Sequence, residues 1–257
     1  MRPLLAIFRR EFTLYFVSPI GYIVLIVFLL VTGFNFSAGL VQFAAFARAS
    51  NQGLAEGTPV NVNLQLLNPL FFNMAFTVLF VVPLLTMRLF SDERRQGSLE
   101  LLLTYPVSDL EVVLGKYLAA LALYGLMLAG TLWSVVALFS LGSPEPGPVV
   151  SGYLGLFLYG AALISIGMML SALTENQIVA GVLTFFVYLV LWLLNGVATT
   201  LPRATAAVVN FISVTDHFQA LSQGVVDSAD LIYFASLIAF GLYLSLTIVA
   251  AQRWSGD

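Results

Sequence analysis

Long apolar runs, separated by short polar stretches, divide the sequence into six segments. A helix that crosses a membrane needs about 20 consecutive and mostly apolar residues, and each run reaches that length. We predict membrane-spanning helices at 18–40, 68–89, 109–141, 149–173, 178–201 and 231–251. Because a backbone in lipid must satisfy its own hydrogen bonds, and because the runs are too long for barrel strands, the predicted fold is all-α. Residues 1–257 are expected to form a single integral membrane domain.

Polar residues at the starts of four runs predict where helices begin. Ser18 and Asn68 each precede a proline, and proline is favoured at the first position of a helix. Ser108 and Glu111 have the spacing of a capping box. The stretch 174–177, which reads TENQ, is a similar start for the fifth span.

Two further segments are amphipathic rather than continuously apolar. In residues 1–17, aromatic and leucine side chains recur at helical spacing while the arginines lie on another side, which predicts an elbow helix lying in the membrane interface. The alternative is that this segment simply extends the first span. Residues 202–230 alternate apolar and polar positions, which predicts short amphipathic helices on the outer side of the membrane.

Composition agrees with a membrane protein. The chain is 60% hydrophobic and 9% charged, with a mean hydropathy of +0.98, whereas an average soluble domain has roughly 45–50% apolar residues. A net charge of −3 and a pI near 5.1 indicate no basic surface for nucleic acid. The expected surroundings are therefore a lipid bilayer.

The distribution of Lys and Arg predicts the orientation. With six spans both termini lie on one side, and most of the basic residues fall there: Arg2, Arg9, Arg10, Arg88, Arg94, Arg95, Lys116 and Arg253. Only Arg48 and Arg203 fall on the opposite side. The positive-inside rule then places both termini and the 88–116 segment in the cytoplasm, and the protein in the cell inner membrane.

Several kinds of chemistry are missing from the sequence. Apart from Arg88, Asp109, Glu111 and Lys116 near the ends of two spans, the predicted spans hold no Asp, Glu, Lys, Arg or His, whereas proton and sodium pumps need such groups to bind the coupling ion. The chain has no cysteine and a single histidine, His217, so a metal site is not expected. The pattern of a phosphate-binding loop fails around Gly115-Lys116. We therefore expect no enzymatic activity in this chain, and a source of driving energy outside it.

Charge is concentrated in the stretch from Arg88 to Lys116, and leucines stand among those charges. A solvated loop explains the charges but not the leucines. We predict that Ser91 caps a short helix, that Gly97 ends it, and that a second short turn ends at Pro106. Such an amphipathic segment can pack on the bundle or fill a partner's groove, and its charges can determine specificity.

The stretch ERRQGSLELLLTYP, from Glu93 to Pro106, followed by Gly115-Lys116, resembles the coupling-helix signature of type-2 ATP-binding-cassette (ABC) exporter permeases. The stretches REF…SPIGY at 10–22, SALTENQI at 171–178 and HF…GVVD at 217–227 are similar to the gliding-motility-associated branch of these permeases. Membership of that branch does not by itself imply gliding.

The resemblance implies an elbow helix, six spans, and two membrane subunits, identical or different, above two cytoplasmic ABC ATPase subunits. ATP and Mg²⁺ would be bound by the ATPase, and no cofactor by this chain. The residues implied in the ATPase contact are Glu93, Arg94, Arg95, Gly97, Leu99, Glu100, Leu103 and Pro106, with Thr174 and Glu175 as a minor second contact. The alternative role for Glu100 is helix capping, or pairing with Arg94 or Arg95 inside the loop.

Two functions fit the sequence. The first is a permease subunit that couples ATP hydrolysis by a separate ATPase to export, or to conformational signalling across the membrane. In it, the 202–230 segment would be an outer gate or a site for an extracytoplasmic partner, with Phe211, His217, Phe218, Gly224 and Asp227 as its candidate residues. The second is a non-transporting scaffold that anchors a cytoplasmic partner. A secondary transporter ranks third, because the spans are uncharged.

Overall fold

Residues 2–52, 61–97, 108–141 and 144–254 are described in a computed structural model of the chain. Within these ranges almost every residue is helical and none is in a strand. The α-helices are α1 (Arg2–Val17), α2 (Pro19–Asn51), α3 (Asn68–Thr86), α4 (Ser91–Arg95), α5 (Asp109–Gly130), α6 (Leu132–Leu141), α7 (Pro146–Leu173), α8 (Gln177–Ala198), α9 (Arg203–Ile212), α10 (Val214–Ser222) and α11 (Ser228–Trp254).

Six helical stretches in the described part of the chain are long and apolar enough to cross a membrane, which confirms the all-α, six-span prediction. They are Pro19–Ser50, Asn63–Arg95, Asp109–Ser140, Pro146–Leu173, Gln177–Ala198 and Ser228–Gln252. The first stretch continues well beyond its predicted end at residue 40. Its continuation is rich in alanine and contains no proline, so nothing in the local sequence stops the helix.

Two of the predicted helix starts are confirmed. Ser18 is extended, and its hydroxyl accepts a hydrogen bond from the Ile20 N–H at 3.4 Å, so α1 and α2 are separate helices rather than one long span. Ser108 and Glu111 form a capping box at the start of α5, in which each side chain accepts from the other residue's backbone N–H.

At the other two starts the helices begin close to the predicted positions, α3 at Asn68 and α8 at Gln177, but the capping residues differ from the prediction. The chain is already helical before Asn68, because a π-helical turn at Asn63–Leu67 precedes α3 and the Asn61 side chain accepts from the Asn63 N–H at 2.9 Å. At the fifth span the N-cap is Asn176, not Thr174: its side chain accepts from the N–H groups of Ile178 and Val179. Asparagine caps a helix at least as well as threonine, so either residue type was eligible.

The third predicted span consists of two helices that meet at Thr131. There the hydroxyl of Thr131 donates to the Leu128 carbonyl at 2.7 Å, and the hydroxyl of Ser134 donates to the Thr131 carbonyl at 2.7 Å. Both hydroxyls donate to backbone carbonyls at the junction of the two helices, where the regular ladder of backbone hydrogen bonds is interrupted. The break lies inside an apolar run and is therefore not visible in the hydropathy pattern.

Helix α7 is the most buried of the long helices, and the others pack around it. It contacts α3, α5, α8, α10 and α11. Glycines on α7 allow large side chains to approach closely, as Gly152 does for Phe71 and Gly160 for Tyr124. Small residues are the usual means by which helices approach one another in membranes.

The bundle has two polar ends. One, which we call the charged end, includes α1, α4, the turn between α7 and α8, and Gln252 near the end of α11. At the opposite end, α9 and α10 pack between the end of α8, the start of α3 and the start of α11. The segment 202–230 therefore contains two short helices joined at Ser213.

Candidate functional site

The candidate site is the short helix α4 together with the side chains that attach it to the bundle. Its start is fixed to α7 by Ser171, whose hydroxyl accepts from the N–H groups of Phe90 at 3.1 Å and Ser91 at 3.3 Å. The same hydroxyl donates to the Met87 carbonyl at 3.1 Å. The prediction that Ser91 caps this helix is wrong: Phe90 occupies the cap position, and the buried Ser91 hydroxyl donates backwards to the Met87 carbonyl.

A buried ammonium group joins α4 to two other helices. Lys116 on α5 is 2% exposed and lies 3.1 Å from Glu11 on α1 and 3.0 Å from Glu93 on α4. It also lies over the Phe90 ring, 5.3 Å from the ring centre. A buried charge is tolerated only when it is paired and hydrogen-bonded, and these three residues, which we call the lysine cluster, satisfy that condition.

Two arginines link the same region to the turn between α7 and α8. The Arg94 guanidinium donates to the Ala172 carbonyl at 2.8 Å and lies 3.5 Å from Glu175. Arg88 donates to the Gln177 side chain at 3.2 Å. These contacts bring residues that are about 80 positions apart in sequence into one polar surface.

Six of the ten predicted contact residues lie within the described residues, and all six are at the charged end. Glu93, Arg94, Thr174 and Glu175 lie at the charged end, where the Thr174 hydroxyl accepts from the Asn176 N–H at 3.2 Å. Arg95 and Gly97 are exposed there, and Gly97 ends α4 with φ +64°, a conformation that favours glycine. The remaining four, Leu99, Glu100, Leu103 and Pro106, lie outside the described residues.

At the opposite end, His217 connects α9, α10 and α11. Its Nδ1 lies 2.7 Å from the Asp230 carboxylate and its Nε2 lies 3.1 Å from the Phe211 carbonyl. The ring stacks on Tyr233 with 3.9 Å between ring centres, and the Tyr233 hydroxyl donates to the Ile212 carbonyl at 2.7 Å. His217 and Tyr233 thus contact the last carbonyls of α9, which have no partner within that helix.

The other residues predicted in the 202–230 segment have different positions. Phe218 is buried and packs on Tyr159 with 5.5 Å between ring centres, whereas Phe211 is 70% exposed. Gly224 has φ +91° and follows α10. Asp227 accepts from the Ala229 N–H at 3.1 Å and so caps the start of α11.

Asp216 lies on α10, and its side chain is half-buried. Burial raises its pKa above the ordinary value of 3.8, and hydrogen bonds from Asn195 and Ser213 together with the charge of His217 lower it in part. The Asn195 amide donates to its carboxylate, so this span asparagine joins α8 to α10. In the described part of the chain no group of three or more His, Asp or Glu side chains is arranged to hold a metal ion.

Sequence reasoning missed the lysine cluster. The sequence pattern assigned Lys116 to the charged cytoplasmic stretch and to a Gly-Lys pair, but to no ion pair, and it assigned no role to Glu11. The available signal was a charged residue within or next to an apolar helical stretch, Lys116 within VVLGKYLAAL and Glu11 at the start of EFTLYF. Asp230 and Tyr233 were missed as well, and they gave no comparable signal.

Comparison with known families decides the identity of the chain. The model of the ABC-2 family transporter protein matches residues 5–253, which is nearly the whole sequence. This chain belongs to the ABC-2 transporter family. It is accordingly a multi-pass permease subunit of an ABC transporter, of a kind that typically lacks nucleotide-binding motifs and whose partner is a cytoplasmic ABC ATPase. No curated protein matches the sequence at a significant level.

Proposed function

We propose that this ABC-2 permease works in the export direction and that α4 receives the motion of the ATPase. The observation that carries the proposal is the attachment of α4 to α1 and α5 through Lys116, and to α7 and its following turn through Ser171 and Arg94. A partner that pushes on α4 therefore displaces several spanning helices together. Exposed Arg95, with the partly exposed Arg94 beside it, offers charge for partner specificity, whereas the Glu93 carboxylate faces Lys116.

The proposed orientation places the charged end, with both termini, in the cytoplasm of the inner membrane. The asymmetry of Lys and Arg in the sequence supports this. ATP and Mg²⁺ would bind to the partner ATPase, and a second membrane subunit, identical or different, would complete the transporter. Few residues of helices α2, α8 and α11 are buried in the single chain, as expected of surfaces that meet lipid or that second subunit. Similarity to the gliding-motility-associated branch rests on the sequence stretches alone.

The proposed role of α9 and α10 is an outer gate or a site for an extracytoplasmic partner. α9 has a strongly one-sided apolar face, with Val208, Phe211 and Ile212 exposed. It packs beside α8, and its end is held by polar contacts to His217 and Tyr233, while α10 is packed against α7. The segment can therefore move at α9 without unpacking the core.

The test is affinity purification of the tagged protein from its own membranes, with ATPase activity assayed in the eluate. We expect an ABC ATPase to co-purify with the wild type, and to be lost or uncoupled in Glu100→Lys and in Arg95→Glu. Arg203→Glu is the matched control, because Arg203 is also exposed but lies at the opposite end. Equal recovery and equal ATPase rates in all four proteins would overturn the proposed contact.

The same experiment distinguishes the exporter from the alternative function, a non-transporting scaffold. A non-transporting scaffold binds its cytoplasmic partner without changing that partner's ATPase rate. If the wild type retains the ATPase but the rate in liposomes is the same with and without this chain, the scaffold is favoured over the exporter.

A further inference from the structure

A cavity of about 310 Å³ lies at the charged end, between α1, the start of α2, the end of α3 and α4. Its lining includes three cations and three anions: Arg10, Arg88, Lys116, Glu11, Asp92 and Glu93. Ligand pockets in proteins measure roughly 300–1,000 Å³, so this cavity suits a small polar group rather than a large substrate. Neither the family match nor the proposed ATPase contact assigns it a ligand.

Two of the cations, Arg10 and Arg88, have N–H donors that a ligand can use. Within the described part of the chain, the carboxylate closest to the Arg10 guanidinium is Glu93, at 3.8 Å, and the Arg10 side chain is 54% exposed. Arg88 reaches Gln177 at 3.2 Å, Ser18 at 3.4 Å and Asp92 only at 4.0 Å. A guanidinium carries five N–H donors, so both arginines retain donors that these contacts do not use.

The third cation is already neutralised. The Lys116 ammonium lies 3.1 Å from Glu11 and 3.0 Å from Glu93. Its charge is therefore already paired and does not attract a ligand in the cavity. A ligand in the cavity therefore meets two arginines and, on the anionic side, chiefly Asp92. Phosphate oxygens match the planar fork of a guanidinium, and a carboxylate such as Asp92 accepts from an ammonium group.

One wall of the cavity is apolar and reaches the outer surface of the bundle. Leu14 and Leu84 both line the cavity and are 46% and 44% exposed, on helices at the level where the spans begin and end. An occupant that fits both walls has a polar head and apolar chains. Because the lining holds equal numbers of positive and negative groups, a head with no net charge fits better than an anion.

We propose that this cavity binds the headgroup of a phospholipid with a primary ammonium group, its phosphate between Arg10 and Arg88 and its ammonium at Asp92. The acyl chains pass over Leu14 and Leu84 into the adjacent leaflet. Such a lipid contacts α1, α3 and α4 at once and stabilises their arrangement beside the lysine cluster. Free phosphoethanolamine has the same phosphate and ammonium groups as this headgroup. The lipid is favoured over it because Leu14 and Leu84 provide an apolar surface for acyl chains.

The experiment is native mass spectrometry of the full-length chain in mild detergent, titrated with phosphatidylethanolamine, phosphatidylglycerol or free phosphoethanolamine. Four variants are compared with the wild type. Arg10→Gln/Arg88→Gln removes the phosphate contacts, Asp92→Asn removes the ammonium contact, and Arg95→Gln is the control because Arg95 lies outside the cavity. Gln96→Trp fills the cavity from its rim and leaves every charge in place.

We expect one tightly held phosphatidylethanolamine per chain in the wild type and in Arg95→Gln. Its affinity should fall at least tenfold in the double arginine variant, in Asp92→Asn and in Gln96→Trp. Equal affinity in the wild type and Gln96→Trp would overturn the site even where the arginine variant fails to fold. Equal binding of phosphatidylglycerol would overturn the ammonium contact, and equal binding of free phosphoethanolamine would overturn the lipid as its source.

Discussion

At the scale of single residues, the burial of the Lys116 ammonium group carries a high energetic cost. An ion moved out of water into a protein interior loses several kcal/mol of solvation, which only close partners with good geometry recover. Glu11 and Glu93 supply those partners at hydrogen-bond distance, and the Phe90 ring faces the same ammonium. One ammonium group thus determines how α1, α4 and α5 sit relative to one another.

Lys116→Met should destabilise the protein strongly. The substitution keeps an unbranched side chain but leaves two carboxylates facing each other without the buried cation, and breaking a buried pair in this way costs about 3–5 kcal/mol. Thermal unfolding in detergent measures the effect against Arg95→Met, which removes an exposed cation from the same end of the bundle. Adding Glu11→Gln and Glu93→Gln to Lys116→Met should recover much of the loss. If Lys116→Met unfolds at the same temperature as Arg95→Met, the cluster does not hold the helices.

At the scale of elements, the spans were predictable because their length and apolar content are local properties of the sequence. The end of the short helix before Gly97 was also predictable, because glycine is a local signal for the end of a helix. Gly97 has the positive φ that such an end requires. The capping residues were predicted less well. Asn68 continues a turn that Asn61 begins, so its role depends on the conformation of the seven residues before it.

The contacts between elements were not predictable from one sequence. Lys116 and Glu11 are 105 residues apart, and Arg94 and Ala172 are 78 apart. Their pairing follows from the packing of α1 on α5 and of α4 on α7, which no local pattern encodes. The isolated charges in apolar stretches indicated that partners must exist, because burial demands them, but not which residues those partners are.

His217→Ala should release α9 from the bundle. The substitution removes the group that faces the Phe211 carbonyl and the Asp230 carboxylate, so the end of α9 loses one of its two side-chain contacts. A hydrogen bond of about 1 kcal/mol corresponds to roughly fivefold faster local opening. Hydrogen exchange of residues 203–212 measures this, with Asp227→Ala as a control that affects only the start of α11.

Unchanged exchange in His217→Ala would show that α9 is held by other means. The same variant also tests the gate. If exchange of α9 rises but ATP-driven transport and its coupling are those of the wild type, the mobility of α9 does not limit transport, and the gate proposal fails.

At the scale of the whole molecule, α7 determines how the other helices are arranged. It is buried along most of its length, and the Tyr124 and Tyr188 hydroxyls donate to its Leu156 and Leu163 carbonyls from α5 and α8. The lysine cluster acts at one end of this arrangement and His217 at the other. Movement at α4 reaches the opposite end only through helices that α7 holds together, so close packing on α7 is a requirement of the proposed coupling.

Gly160→Ala should therefore weaken the whole bundle, while Gly125→Ala should not. A Cβ at Gly160 would lie 2.6 Å from the Tyr124 Oη, and the buried Tyr124 ring cannot swing aside without giving up its hydrogen bond to Leu156. Overpacking of this kind costs about 1–3 kcal/mol. A Cβ at Gly125 meets nothing within 4 Å, so the better helix propensity of alanine should leave that variant as stable as the wild type or slightly more stable. Thermal unfolding of the two variants in the same detergent decides the matter: equal unfolding temperatures would mean that contact at Gly160 does not hold α5 against α7.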